Sequence, residues 1–287
     1  MREKTVSIII PTFNRLYTLK TVLDSYFQQD YLKEIIIVDD GSTDGTYEFI
    51  HSLNNPLIVY CRHPQTLGVT TSRNTGIKKA TGEFIAFGED DLFFDSDYVS
   101  ILLKNLVDYQ ADIIAGKLVY LKNDETFFQA KNRASNLKPY LNLWTLKANY
   151  QKEVDGGLEV PFFHACSLMK RSVADSLLYD TSFKMPALRE ETDFYLRAYE
   201  AGYKLLFVSE TIVYHLPIDA IKTGGEWQLG LFHYHLQAIK NNYRFSKRHF
   251  KTLKKIGLKS GFFLFNFLHI LNRVRILART IYYQLKN

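Results

Sequence analysis

The chain has 287 residues, 46% hydrophobic and 23% charged, which excludes a disordered or low-complexity polymer and allows one large core or two modest ones. Its net charge of +6 conceals an asymmetry: residues 1–226 carry 24 Lys and Arg against 30 Asp and Glu, whereas residues 227–287 carry 12 against none. Two cysteines, Cys61 and Cys166, exclude a disulfide framework and lack metal-site spacing, so both read as reduced core residues.

Arg2-Glu3-Lys4 leads almost directly into a β-branched run with no apolar leader, so the expected compartment is the cytoplasm. Val6 to Ile10, Ile35 to Val38, Leu57 to Tyr60 and Phe84 to Phe87 are short, apolar and rich in Val, Ile and aromatics, which predicts strands. Between them Leu16, Leu19, Val22, Leu23, Tyr26 and Phe27 recur at helical spacing, and Thr46 to Ser52 and Val69 to Ala80 give two more helices. Strand-helix alternation of this kind predicts an α/β fold: a doubly wound, mainly parallel sheet with helices on both faces.

Further on, a helix over Asp97 to Tyr109 precedes a strand over Asp112 to Tyr120. Residues 122–157 are polar, aromatic and poorly periodic, and are expected to form an irregular segment over a site. A strand over Phe162 to Met169, helices over Arg171 to Leu178 and Glu191 to Ala201, and strands over Lys204 to Val208 and Thr211 to Tyr214 follow. The expected domain organisation is a catalytic body over 1–217 and a basic helical extension over 218–287.

Acidic residues cluster where apolar runs end: Asp39-Asp40 after Val38, Glu89-Asp90-Asp91 after Gly88, and Glu190-Glu191 at a helix start. The carboxyl ends of parallel strands share one crevice, so these groups can converge on one ligand. Asp39 to Gly45 has the composition of a turn and helix cap, or of a loop whose carboxylate accepts the imide N–H of a pyrimidine base. Three adjacent acids at a strand end repel one another unless a cation sits among them, and hard oxygen ligands suit Mg²⁺ or Mn²⁺ shared with phosphates.

Val6 to Arg15 (VSIIIPTFNR), Ile35 to Thr46 (IIIVDDGSTDGT), Arg73 to Asp91 (RNTGIKKATGEFIAFGEDD), Glu190 to Gly202 (EETDFYLRAYEAG) and Val213 to His215 (VYH) together resemble the family 2 glycosyltransferases of the GT-A fold. The resemblance spans about three quarters of the chain. It implies an inverting enzyme that uses a nucleotide-diphosphate sugar, with UDP favoured, and a divalent metal. It places Pro11, Thr12 and Asn14 beside the nucleotide, Asp40 on the base and Arg73 toward the phosphates. Asp91 matches the acid that closes the family's Asp-x-Asp metal motif, with Asp90 between and Glu89 in place of the first Asp. Glu191 falls at the general base, with Glu190 and Asp193 as alternatives, and His215 resembles a further metal or phosphate contact.

Beyond Lys247 and Arg248, four lysines precede the apolar stretch Gly261 to Leu271, and Arg273, Arg275 and Arg279 follow it. A mainly apolar stretch of eleven residues is too short to span a bilayer. On one helix Lys255, Lys259, Asn266 and Arg273 would share a side opposite Phe263, Phe267, Ile270 and Val274, the make-up of an interfacial helix on anionic lipid. The apolar face could instead pack on the body or form a dimer contact. The expectation is peripheral association with the inner face of the cell membrane and a glycan or lipid-linked acceptor.

Other functions fit less well. Pro11 to Arg15 replaces the glycine-rich turn of a dinucleotide-binding oxidoreductase. A metal-dependent phosphotransferase or phosphatase could use Asp39 or Asp90 as nucleophile. A nucleic-acid binder could use the basic tail but leaves the acidic crevice without a purpose, so no nucleic-acid partner is expected.

Overall fold

The computed structural model describes residues 4–133, 138–185, 188–221 and 230–286. The chain begins with β1 (Val6–Thr12), α1 (Leu16–Phe27), β2 (Leu32–Asp39), α2 (Thr46–Ser52), β3 (Ile58–Arg62), α3 (Val69–Lys79) and β4 (Phe84–Phe87). β1 is buried along its whole length and β2 from Ile35 onward, as expected of parallel strands covered on both faces. α1 turns Leu19, Val22, Leu23 and Tyr26 inward, and the helix and strand bounds predicted up to Phe87 hold to within three residues.

The middle comprises β5 (Leu92–Phe94), α4 (Tyr98–Asp108), β6 (Ile113–Tyr120), α5 (Phe127–Arg133), β7 (Leu141–Asn142), β8 (Lys147–Ala148), β9 (Gly157–Glu159), β10 (Leu168–Lys170) and α6 (Arg171–Ser176). The chain then runs through α7 (Glu190–Glu200), β11 (Leu205–His215), a 3-10 turn, α8 (Leu231–Lys255) and α9 (Phe262–Lys286). The main sheet has the order β3-β2-β1-β4-β10-β6-β11-β5, with β9 beside β11. β3-β2-β1-β4 and β6-β11 pair in parallel; the short β10, β5 and β9 pair antiparallel.

Several elements differ from the sequence expectation. Of the strand expected over Phe162 to Met169, only Leu168–Lys170 forms. Phe162 to Cys166 is apolar because it is buried, and its backbone is satisfied by side chains instead of a ladder: Tyr140, Tyr195 and Tyr98 hydroxyls donate to the carbonyls of Phe162, Ala165 and Cys166. The two strands expected over 204–214 are one, β11, whose register against β6 shifts between Phe207 and Ile212. The three-residue β5 lies in a stretch for which the sequence suggested no element.

The single basic helix expected across Lys255 to Val274 is two helices, broken after Ile256 by Gly257 at a φ of 99°. Lys255 and Lys259 therefore do not share a face with Asn266 and Arg273. α8 packs on α7, and Phe245, Leu253, Leu258 and Phe265 join the core on that side of the sheet. No helix among the described residues is long and apolar enough to cross a membrane.

Candidate active site

A cleft of about 510 Å³ opens at the carboxyl ends of β1, β2, β4 and β11. Its walls include Pro11, Thr12, Asp40, Arg73, Asp90, Asp91, Glu191 and His215, so eight of the nine candidate residues meet there. That is the size of an ordinary small-ligand site.

Two close backbone approaches set the walls. A Cβ on Gly76 would lie 2.3 Å from Ile9 Cγ2, so α3 packs directly on β1 and carries Arg73, one turn earlier, into the cleft. A Cβ on Gly88 would lie 2.7 Å from the Tyr26 ring. The Tyr26 hydroxyl accepts from Glu89 N at 3.1 Å and lies 2.8 and 2.7 Å from the carbonyls of Glu89 and Leu92. One aromatic side chain of α1 thus fixes both ends of the acidic loop.

Asn14 is the candidate that stands apart. Its Oδ1 accepts from Thr43 N at 2.7 Å and its own N–H donates to Ser42 Oγ at 2.9 Å, so it ties the β1 loop to the β2 loop. Asp40 lines the cleft but is already engaged: Leu67 N and His63 Nδ1 donate to Oδ1 at 3.0 and 2.7 Å, and Gly68 N donates to Oδ2 at 2.8 Å. A carboxylate has about four acceptor positions, which leaves one on Oδ2.

Arg73 is 1% exposed and gathers three carboxylates: Glu89 at 2.7 Å, Glu190 at 3.2 Å and Glu191 at 3.4 Å. Burial alone would weaken its proton, but Tyr179, Glu191, Glu89 and Glu190 outweigh burial and hold it charged. Burial pushes Glu89 up to about 8 against the pull of Arg73, with Glu191, Asp91 and Asp90 adding to the rise. Burial also raises Asp90 to about 7 against Arg15, and Glu190 to about 7 against Arg73.

Among the three acids considered for proton transfer, position separates the roles. The Glu190 side chain is 6% exposed and the Glu191 side chain 29%. Asp193 has no exposure and faces away, accepting from Arg197 Nε at 2.8 Å, Arg248 Nη1 at 2.6 Å and His249 Nε2 at 3.0 Å. Glu190 and Glu191 both line the cleft, and Glu191 is the more exposed of the two.

His215 Nδ1–H donates to the Leu216 carbonyl at 2.8 Å, which leaves the Nε2 lone pair facing Asp91 Oδ2 at 3.9 Å. Leu216 N in turn donates to the Asp91 carbonyl at 2.9 Å and holds the two residues together. A carboxylate oxygen opposed to an imidazole lone pair fits a divalent cation such as Mn²⁺. Among the described residues no group of three or more His, Cys, Asp or Glu forms a complete ligand set, so a cation here would need phosphate or water oxygens as well.

Sequence reasoning missed two contributors. Arg15 contacts Asp91 Oδ2 through Nη1 and lies 3.4 Å from Asp90 Oδ1; its signal was its place directly after Asn14, at the end of the VSIIIPTFNR stretch. Tyr120 stacks on His215 at 4.6 Å, a contact made only because β6 and β11 end side by side.

Comparison with known proteins places this site in context. Residues 7–178 match the model of glycosyl transferase family 2. Glycosyltransferase GlyA of Streptococcus pneumoniae is 33% identical over 126 residues, 43% of this chain and 18% of that protein. The Escherichia coli UDP-Glc:alpha-D-GlcNAc-diphosphoundecaprenol beta-1,3-glucosyltransferase WfaP is 30% identical over 128 residues, 44% of this chain and 45% of that protein. The chain thus aligns with less than half the length of these relatives.

Among solved structures, Staphylococcus aureus TarS in complex with UDP-GlcNAc superposes with a TM-score of 0.58 at 17% identity, over 95% of this chain and 80% of that one. Mannosyltransferase PcManGT from Pyrobaculum calidifontis, in complex with GDP-Man and Mn²⁺, gives 0.63 at 18% identity over 98% and 76%. At such identities the likeness establishes the GT-A fold. Because the family match covers more than half of the sequence, this chain belongs to glycosyl transferase family 2.

Proposed function

We propose that the chain is an inverting glycosyltransferase that moves a sugar from a nucleotide-diphosphate donor, UDP favoured, to a hydroxyl of a glycan or lipid-linked acceptor. The observation that carries this reading is the meeting of Glu191 with Asp91, His215 and Arg73 in one cleft at the strand ends. The relatives named for transfer to diphosphoundecaprenol-linked sugar and the neighbours bound to UDP-GlcNAc or GDP-Man support it.

Asp40 offers its remaining acceptor position to the base, and Pro11 and Thr12 line the nucleotide's path. Asp91 and His215 would hold Mn²⁺ or Mg²⁺, which when bound supplies positive charge to the leaving diphosphate. Glu191 takes the proton from the acceptor hydroxyl as that oxygen bonds to the anomeric carbon, and the bond from that carbon to the diphosphate oxygen breaks with inversion. Arg73 holds Glu191 near Glu89 and Glu190, and Glu190, the more buried of the two, leaves proton transfer to its neighbour. A positioned base of this kind is worth about 10²–10⁴-fold in rate.

The reading also assigns the tail. α9 turns two polar residues inward and several apolar ones outward: Asn266 bonds Asn242 and Ser246, and Arg273 Nε donates to His235 Nδ1 at 3.1 Å, while Phe263 is 86% exposed, Phe267 55% and Val274 54%. With twelve basic and no acidic residues over 227–287, this exposed apolar face suits an anionic membrane surface.

The test is nucleotide release from a panel of UDP-, GDP- and dTDP-sugars with membrane-extract acceptors and Mn²⁺, comparing the wild type with Glu191→Gln. The expected result is transfer reduced at least 10²-fold in the variant with donor binding retained. Near-normal transfer by Glu191→Gln removes the assigned base, and phosphate release without sugar transfer favours the phosphatase reading.

A further inference from the structure

We propose that the groove between α8 and α9 binds one anionic lipid, with its phosphate among Lys240, Arg244 and Lys247 and its hydrocarbon against Ile239, Tyr243 and Ile270. This deepens the reading of the tail as a membrane-facing element, because it gives that element a site for a single lipid molecule apart from the exposed phenylalanines of α9.

The groove has a volume of about 890 Å³, against about 510 Å³ for the cleft at the strand ends, and its walls come from the tail alone. α8 contributes residues between Ile239 and Arg248, and α9 contributes Asn266, His269 and Ile270. The two helices are clamped beside it: Asn242 Nδ2 donates to Asn266 Oδ1 at 3.2 Å, and Asn266 Nδ2 donates to Ser246 Oγ at 2.9 Å. The groove is therefore a fixed feature of how the helices pack.

Its charge is one-sided. Lys240, Arg244, Lys247 and Arg248 line it, and no Asp or Glu does. Among the described residues the acids that contact α8 are Asp180 on Arg248, Asp193 on Arg248 and His249, and Glu200 on His249 and Thr252. Arg248 is thus balanced, whereas Lys240, Arg244 and Lys247 form no ion pair among the described residues. Arg244 is oriented without being neutralised, since its Nη1 donates to the Ser182 carbonyl at 2.7 Å and to Asn241 Oδ1 at 3.2 Å. The His269 ring adds no charge: burial and the nearby Arg189 and Arg273 push it down to about 3.

Spacings of four and three residues put the three cations on one side of α8 over two turns, about 10 Å. Like charges at these spacings repel, and the chain has no acid after Glu226 to relieve them. An anion of phosphate size seated among them removes the repulsion and gains charge-assisted hydrogen bonds.

The apolar lining decides between a soluble phosphate and a lipid. Ile239, Tyr243 and Ile270 offer surface that a small hydrophilic anion would leave unused. Ile270, 38% exposed, lines the groove and also borders the outer apolar face of α9, because Phe267 and Val274 stand three residues before and four after it. A hydrocarbon chain can pass from the groove to that face without crossing polar surface. A nucleic acid or an acidic peptide supplies the charge without the chain.

The test titrates the full chain by calorimetry with dihexanoyl phosphatidylglycerol kept below micelle formation, beside dihexanoyl phosphatidylcholine and glycerol 1-phosphate. The expected result is one phosphatidylglycerol per chain, with each of the other two bound about tenfold more weakly or worse. Lys240→Ser with Lys247→Ser should weaken phosphatidylglycerol by about tenfold. Phe263→Ser with Phe267→Ser should leave it within about twofold, because those rings lie outside the groove. Both lysines are exposed, so the fold should persist by circular dichroism; if the pair fails to fold, Lys247→Ser alone carries the test. A folded lysine variant that binds as tightly as wild type overturns the proposal, and so does phosphatidylcholine bound as tightly as phosphatidylglycerol. Equal binding of glycerol 1-phosphate overturns it by making the groove a soluble-phosphate site, and loss of binding through the phenylalanines overturns it by placing the lipid on the outer face. No arm reads sugar transfer, so these outcomes leave the assignment of the cleft standing, and near-normal transfer by Glu191→Gln leaves the lipid site standing.

Discussion

Asp91, Glu191 and Asp193 are all carboxylates near the start of α7 or the end of β4, yet their surroundings give them different work. Asp91 opposes an imidazole lone pair, Glu191 is partly open to the cleft, and Asp193 is sealed under α8. Asp91→Ala should abolish metal-dependent turnover and weaken Mn²⁺ binding by at least tenfold, measured by the loss of the free-ion EPR signal. Because Arg15 keeps Asp90 at 3.4 Å and the loss of one of three adjacent acids relieves their mutual repulsion, the fold should be retained, with a melting temperature within a few degrees of wild type. Retained Mn²⁺ affinity in that variant would move the metal away from the β4–β11 junction.

At the scale of elements, the decisive contact is the one between α7 and α8. Burial would raise Asp193, but hydrogen bonds from His249 and Arg197 and the charges of Arg197 and Arg248 hold it low, and His249 Nδ1 also faces Glu200 at 3.0 Å. Arg248 reaches Asp180 as well, whose carboxyl is held down to about 2. The basic tail is thus fastened through charge to the helix that carries Glu191. Removing one side of a buried ion pair costs about 3–5 kcal/mol. Asp193→Ala should destabilise the chain by about 3 kcal/mol in urea unfolding, toward the lower end because Arg197 and Arg248 retain access to water. A loss under about 0.5 kcal/mol would mean that the latch contributes no more than a surface pair.

For the whole molecule, the clustered carboxylates set how stability responds to pH. Glu89 near 8, Asp90 near 7 and Glu190 near 7 hold protons in the folded chain that the unfolded chain has lost above about pH 4–5. The folded state therefore binds more protons across that window, and stability falls as pH rises through 7 and 8. Asp180 and Asp193, held low, act in the opposite sense but only at more acidic pH. Without metal the melting temperature should fall between pH 5.5 and 8.5, and saturating Mn²⁺ should reduce that slope; a melting temperature that rises over the same range refutes the charge balance.

The tail is tested at the same scale by flotation with phosphatidylglycerol vesicles. Since α8 and Phe265 belong to the core, substitutions on the exposed face of α9 serve better than truncation. Phe263→Ser with Phe267→Ser should abolish flotation at unchanged melting temperature. If neither wild type nor variant floats while the wild type self-associates by light scattering, the apolar face is a dimer contact.

What the sequence determined by itself was the order of elements and the identity of the chemically active loops. Apolar runs of period two and 3.6 mark β1 to β4 and α1 to α4 because burial on a sheet or a helix face leaves a local imprint, and Asp39-Asp40, Glu89-Asp90-Asp91 and Glu190-Glu191 lie where those runs stop. Partnership carries no such imprint. That Asn14 ties two loops, that Arg73 binds acids instead of lying open, that Asp91 Oδ2 lies between Arg15 and His215 and that α9 turns Asn266 and Arg273 inward all depend on contacts between residues distant in the chain. Those were settled by the tertiary structure alone, because a side chain's charge and hydrogen bonds are decided by which neighbours the packed fold brings within a few ångströms of it.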